Sequence, residues 1–259
     1  MKFDINAPIL VFDSGVGGIS VLKELVKVMP HEDFIFFGDS KNSPYGTKPT
    51  EVVKKLTIDK VSEYLRLGIK GCAIACNTAT SAAVADMRVL FPELPLVGIE
   101  PAIKPAALNH PGGRILVMAT PITIEGQKLH NQIKLYEDIA TIIPLACPGL
   151  MEFIEGGKID SPELIDYLKE HLKEYIENPV DAFVTGCTHY PFVADKISSV
   201  LGSNVKHYDG ANGTARELKR RLNEAKLLKD SGEGHIKFIS SDPSPEKIQQ
   251  CKTLFNRPL

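Results

Sequence analysis

Cys76 and Cys187 carry the clearest chemical signal in this 259-residue chain. Each follows a short apolar run and precedes polar residues: GCAIA before Cys76-Asn77-Thr78, and DAFVT with Gly186 before Cys187-Thr188-His189. Open α/β sheets bind ligands at the carboxyl ends of their strands. A thiol placed there, near the start of the next helix, meets backbone amides that lower its pKa from about 8.5 and that also bind carboxylates. Two such thiols suit a reaction in which one group removes a proton from carbon and the other returns one. His189 lies two residues after Cys187 and has the chemistry to take or return that thiol's proton. Glu152 is an acid able to tune such a histidine, although spacing alone does not bring them together. Free cysteines are more often core residues than catalysts, and Cys72, Cys147 and Cys251 are read in that way. The recurrence of the strand-end position is what sets Cys76 and Cys187 apart.

Asp13-Ser14-Gly15-Val16-Gly17-Gly18 follows the first apolar run. It has the outline of a dinucleotide loop, with Asp39 as a ribose ligand, but Ser20 occupies the place of the third glycine and the leading aspartate would repel a pyrophosphate. Receiving an ammonium group or orienting a thiol is a better use of that acid. The blander alternative is that the glycines only permit a tight strand-to-helix turn. Asn42-Ser43-Pro44-Tyr45-Gly46 is either an ordinary turn or a loop that sets Tyr45 and the Gly46 amide against a ligand. A zinc site from Cys72, Cys76, Cys187 and His189 is disfavoured, because strand residues four apart lie about 13 Å from each other.

The elements that must position these residues follow a regular order. Apolar runs at 8–12, 33–37, 71–75 and 95–99 alternate with helix-like segments at 19–28, 50–67 and 80–90. The pattern restarts with strand candidates at 114–119, 139–145 and 181–185 and helices at 124–135, 162–176 and 192–201. A helix over 213–228, a strand over 235–239 and a last helix from Pro245 complete the chain. Continuous apolar strands separated by helices predict parallel sheets covered on both faces, a doubly wound α/β class. Ile9-Leu10-Val11-Phe12-Asp13-Ser14 echoes Ile115-Leu116-Val117-Met118-Ala119-Thr120, and Ala75-Cys76-Asn77-Thr78 echoes Gly186-Cys187-Thr188-His189. Two similar doubly wound domains facing each other across a cleft are therefore expected, residues 1–97 with 212–259 and residues 98–211.

Composition narrows the partners. A formal net charge of -2 gives no support to nucleic acid or an anionic membrane. No apolar run reaches membrane-spanning length, and the N-terminal residues do not read as a signal peptide. An odd count of 5 cysteines without regular spacing argues against a disulfide framework and for free thiols in a reducing cytoplasm.

Phe12-Asp13-Ser14-Gly15-Val16-Gly17-Gly18, Pro44-Tyr45-Gly46, Ala75-Cys76-Asn77-Thr78-Ala79-Thr80 and Gly186-Cys187-Thr188-His189-Tyr190-Pro191, in that order, resemble the glutamate racemase branch of the aspartate/glutamate racemase superfamily. The resemblance implies two α/β domains with the active site in the cleft between them, and Cys76 and Cys187 as the paired acid and base, aided by Asp13, His189 and Glu152. It assigns substrate contacts to Asp13, Ser14, Tyr45, Gly46, Asn77, Thr78, Thr120, Thr188 and His189. It implies glutamate as the partner, no cofactor, no metal, and a product that feeds peptidoglycan; a homodimer is an open assembly. The short leader before Asp13 implies no activator-binding N-terminal extension. Aspartate racemases of the same superfamily, a single-cysteine decarboxylase or hydrolase, an exported amino-acid-binding protein and a nucleotide-binding regulator are the alternatives.

Overall fold

Strands buried on both faces are apolar along their interiors, and the central strands of this protein are, with polar residues only at their ends (Asp13, Arg114, Thr185). The computed structural model describes residues 3–259. Its strands are β1 (Ile9–Asp13), β2 (Phe34–Gly38), β3 (Gly71–Ile74), β4 (Leu96–Gly98), β5 (Arg114–Ala119), β6 (Thr141–Ala146), β7 (Ala182–Thr185), β8 (Lys206–Asp209) and β9 (Ile236–Ser240). Its helices are α1 (Ile19–Val28), α2 (Thr50–Arg66), α3 (Asn77–Leu90), α4 (Ile103–Asn109), α5 (Pro121–Glu125), α6 (Gln127–Lys134), α7 (Leu150–Glu155), α8 (Pro162–His171), α9 (Lys173–Glu177), α10 (Ala194–Leu201), α11 (Ala211–Glu224) and α12 (Pro245–Asn256). The chain divides into two units, one running to Glu100 and joined by Ala211–Arg257, the other Pro101–Gly210 with Pro258–Leu259.

The first unit holds a parallel sheet in the order β4-β3-β1-β2-β9. Leu10 and Phe12 of β1 join the core formed with α2 and α3 (Val53, Val61, Ala79, Ala83). Ile9 and Val11 are also fully buried, on the opposite face. With both faces covered, alternation of apolar and polar residues disappears from the central strands. At the amino ends of the strands, Lys70 and Glu32 form a buried ion pair of 2.5 Å, and Lys229 N donates to Glu32 Oε1 at 2.8 Å. Lys70→Met leaves that carboxylate buried without its cation, and should lower the unfolding free energy by about 3 kcal/mol, measured by urea denaturation at neutral pH.

The second unit repeats the plan with a parallel sheet in the order β6-β5-β7-β8. The first two strands of this unit flank each other as β1 and β2 do, and the third returns to the other side of the first. One core lies between α4 and α6 and the apolar residues Ile115, Val117, Ala182 and Val184. The edge strands are less buried than the centre. Pro144 sits in edge strand β6, where a residue without an N–H is tolerated.

Several expected elements differ in detail. The helix expected over 124–135 is two helices broken at Gly126, and the one over 162–176 breaks at Leu172. Strand β8 and the short helices α4 and α7 were not anticipated; each is too short to show a period in sequence. Among the described residues, no helix is long and apolar enough to cross a membrane.

Candidate active site

Within the first unit, Asp13, Cys76 and the Tyr45 loop all lie at the carboxyl ends of the adjacent strands β3, β1 and β2. Asp13 is fully buried, and its Oδ2 accepts from Gly15 N at 2.9 Å. This bond shapes the strand-to-helix turn. The turn also needs close approach, since a Cβ on Gly18 would stand 2.6 Å from Asp13 Cβ. Cys76 caps α3: its sulfur accepts from Ala79 N at 3.4 Å. The thiol therefore faces the helix-start amides, as its position in the sequence leads one to expect. Asn77 and Thr78 begin the helix, and both are buried. Neither Nδ2 nor Oδ1 of Asn77 has a hydrogen-bond partner among the described residues. An unpaired buried amide costs free energy, so Asn77 is poised to recover that cost from a ligand.

Tyr45 is buried, and its hydroxyl donates to Asp39 Oδ2 at 2.7 Å. Asn42 Nδ2 donates to the same carboxylate at 3.0 Å. Asp39 N in turn donates to Asp13 O at 2.9 Å. Burial, then the bond and charge of Asp39, then the charges of Cys76 and Asp13 hold the Tyr45 phenol well above its usual range, so it stays neutral. Asp39, a ribose ligand only in the disfavoured dinucleotide reading, fastens the loop that carries Tyr45 and half-buried Gly46.

Within the second unit, Cys187, Thr188 and His189 follow β7 and are all buried. Cys187 does not sit at an α-helix start. A four-residue 3-10 turn (Tyr190–Val193) intervenes before α10, closed by i→i+3 bonds from Tyr190 N to Cys187 O and Phe192 N to His189 O, both 3.1 Å. The partner of the thiol is a side chain: Cys187 Sγ lies 3.6 Å from His189 Nδ1. The other ring nitrogen, Nε2, meets Glu155 Oε1 at 2.8 Å. Burial alone would push the His189 pKa down, but its contacts with Cys187 and Glu155 more than reverse this and raise it well above the ordinary value.

This corrects the expectation for Glu152. That residue lies in the first turn of α7 and is exposed, whereas Glu155, three residues on, ends the helix facing His189. Residues three apart share a helix face, so spacing could not choose between them. Thr120 precedes α5, and its hydroxyl lies 3.0 Å from that of Thr123. Among the described residues, no group of three or more His, Cys, Asp and Glu side chains is gathered as a metal-binding set.

The echo seen in the sequence extends to the backbone. Ala75 N donates to Phe12 O and Gly186 N to Met118 O, both at 2.7 Å. Asp39 N donates to Asp13 O and Cys147 N to Ala119 O, both at 2.9 Å. Each cysteine thus follows the third strand of its unit, one residue past a bond to the same point on the first strand.

Comparisons with known proteins agree with this organisation. Residues 17–218 match the family model described as Asp/Glu/Hydantoin racemase. A glutamate racemase of Clostridium acetobutylicum is 47% identical over 237 residues, 91% of this chain and 92% of the relative. One from Clostridium perfringens is 42% identical over 250 residues, 96% of each. Among solved structures, glutamate racemase from Francisella tularensis in complex with D-glutamate aligns with a TM-score of 0.85 at 27% identity, over 99% of this chain and 96% of that one. The Escherichia coli glutamate racemase in complex with L-glutamate and the activator UDP-MurNAc-Ala aligns with a TM-score of 0.83 at 27% identity, over 96% and 95%. By the extent of the family match and the identity to these relatives, the chain belongs to the Asp/Glu/hydantoin racemase family.

Proposed function

We propose that this protein is a cofactor-independent glutamate racemase, with Cys76 and Cys187 as its acid/base pair. The observation that carries the reading is the equivalent placement of two buried thiols, each one residue past the same backbone bond in its unit. Racemisation removes the α-proton and returns one to the opposite face. A lone base that cannot move around the carbon returns the proton where it found it. Two thiols, one deprotonated and one protonated, remove that restriction, and thiols reach both states near neutral pH.

The α-proton is far less acidic than a thiol, so the developing carbanion must be stabilised by fixed dipoles. The helix-start amides behind Cys76, the amide of Asn77 and the hydroxyls of Ser14, Thr78, Thr120 and Thr188 are suited to hold the substrate's carboxylates. Tyr45 and Gly46 would fix the rest of the substrate. Asp13 is suited to serve Cys76, and His189, backed by Glu155, to serve Cys187. In this reading Cys76 deprotonates D-glutamate and Cys187 L-glutamate. The product D-glutamate would supply peptidoglycan synthesis, and five free thiols suit a cytoplasmic setting.

The test is incubation of L-glutamate, D-glutamate and L-aspartate separately in deuterium oxide without added cofactor. Loss of chirality with α-deuterium uptake is expected for both glutamate enantiomers. Retained chirality for glutamate, or faster turnover of aspartate, would overturn the substrate assignment. Asp39→Ala strands the Tyr45 hydroxyl in a buried position, worth about 1–2 kcal/mol. It should lower kcat/KM for glutamate by about 10-fold, mostly through KM, in steady-state assays.

A further inference from the structure

The two thiols are anchored differently. Cys76 caps a 14-residue helix, and Ala79 N reaches its sulfur at 3.4 Å. Cys187 is followed only by the 3-10 turn and has no such cap. Its turn must be held by other means. On the β5 side the chain is pressed close, since a Cβ on Gly186 would stand 3.0 Å from Ala119 Cβ and 3.1 Å from Met118 O. On the β8 side, the imidazole of His207 stacks on Phe183 with ring centroids 4.8 Å apart and planes at 19°. Its Nε2 reaches Thr185 Oγ1 at 2.9 Å. Tyr208 O, 3.4 Å from Thr185 Oγ1, can only accept the hydroxyl proton; with the proton there, the hydroxyl oxygen accepts from His207 Nε2–H. Register explains the geometry: His207 pairs with Phe183, and Thr185 is the next residue on that face of β7.

The first unit has no such link. Aligning Cys76 on Cys187 places Ile74 at Thr185, Cys72 at Phe183 and, through the strand pairing, Leu96 at His207. All three are buried and apolar. The second unit has therefore replaced an apolar contact with a hydroxyl–imidazole bond two residues before the thiol that lacks a helix cap.

We propose that His207 is a positioning residue for Cys187, fixing the end of β7 through the Thr185 hydroxyl and so setting the thiol's turn. Burial lowers the affinity of this ring for a second proton, against the pull of Asp209, which keeps the single-donor form the bond uses. The inference rests on Cys187 being one of the two acid/base groups.

The test compares His207→Phe, which keeps the stacked ring and loses the donor, with His207→Gln, whose Nε2 can restore it. Thr185→Val removes the other half of the bond. His207→Phe and Thr185→Val should lower kcat by about 10-fold, and His207→Gln should recover most of it. With α-deuterated substrates, the primary isotope effect on kcat/KM should rise for L-glutamate and fall for D-glutamate, because only the Cys187 step slows. Iodoacetamide labelling, followed by peptide mass spectrometry, should change by at least about 3-fold at Cys187 and stay unchanged at Cys76. General loosening would instead move both cysteines and leave the isotope-effect ratio as in the wild type; that result, from whichever of the variants folds, overturns the proposal. If the wild-type protein does not racemise glutamate, the racemase reading fails, and the labelling contrast still decides whether His207 positions Cys187.

Discussion

Cys187→Ala should abolish racemisation in both directions, with a loss of about 10,000-fold or more, while the variant still exchanges the α-proton of D-glutamate with solvent. Cys76→Ala should show the mirror result, with exchange confined to L-glutamate. The argument is stereochemical. Removing one thiol leaves a single base on one face, able to take a proton and return solvent deuterium to the same face. No deuterium crosses, so chirality persists while the label enters. Microscopic reversibility requires both directions to fail together, since each direction uses both thiols. The measurement is proton NMR of the α-position together with chiral chromatography of the same sample. A single-cysteine hydrolase or decarboxylase would behave otherwise: one alanine variant would be dead and the other near normal. Alanine adds no bulk at either position. Both cysteines lie just past a strand end; Cys76→Ala gives up some apolar contact in the core that holds Tyr45 and Ala79 and a weak, 3.4 Å helix cap, so circular dichroism accompanies the assay.

The positions of both thiols were legible because they depend on short-range rules. A run such as Ile9–Phe12 or Ile115–Met118 is apolar at every residue because helices cover both faces of its sheet. The polar residue that ends such a run marks the carboxyl edge. What was not legible depends on tertiary contact. Glu155 and Glu152 are both acids on one short helix, and only the packing of α7 against the Cys187 turn selects Glu155. Asp39 follows β2 as Asp13 follows the interior of β1, but its bond to Tyr45, six positions on, closes a loop that no periodicity reveals. Strand β8, Lys-His-Tyr-Asp, has a polar edge-strand composition that hides it. Cys187, expected near the start of the next helix, is instead followed by the tighter turn Tyr190–Val193.

The His189–Glu155 pair should matter second only to the thiols. His189→Asn is expected to lower kcat/KM by about 1,000-fold, because it removes the ring that lies 3.6 Å from the Cys187 sulfur and that, in the proposed mechanism, exchanges a proton with it. Glu155→Gln should cost about 10- to 100-fold, keeping the shape of the contact and losing its charge. Glu152→Gln should be near neutral, because that carboxylate is exposed and the bond to the ring is made by Glu155. The pH dependence separates these variants. His189 is raised against the opposing effect of burial by its contacts with Cys187 and Glu155. A group whose folded value lies above its unfolded value contributes stability that is full below the ordinary histidine pKa of about 6.5. That contribution is lost as pH rises through the raised folded value. Removing the Glu155 charge lets burial act with less opposition, so the folded value falls. In Glu155→Gln the stability deficit against wild type should therefore be largest at mildly acidic pH and shrink as pH rises, in urea titrations run from pH 6 upward. Histidine-selective NMR should show the His189 ring losing its proton at lower pH than in the wild type. A deficit that grows with pH would mean that the His189 pKa is not raised by its carboxylate, and Glu155 would then act by packing alone.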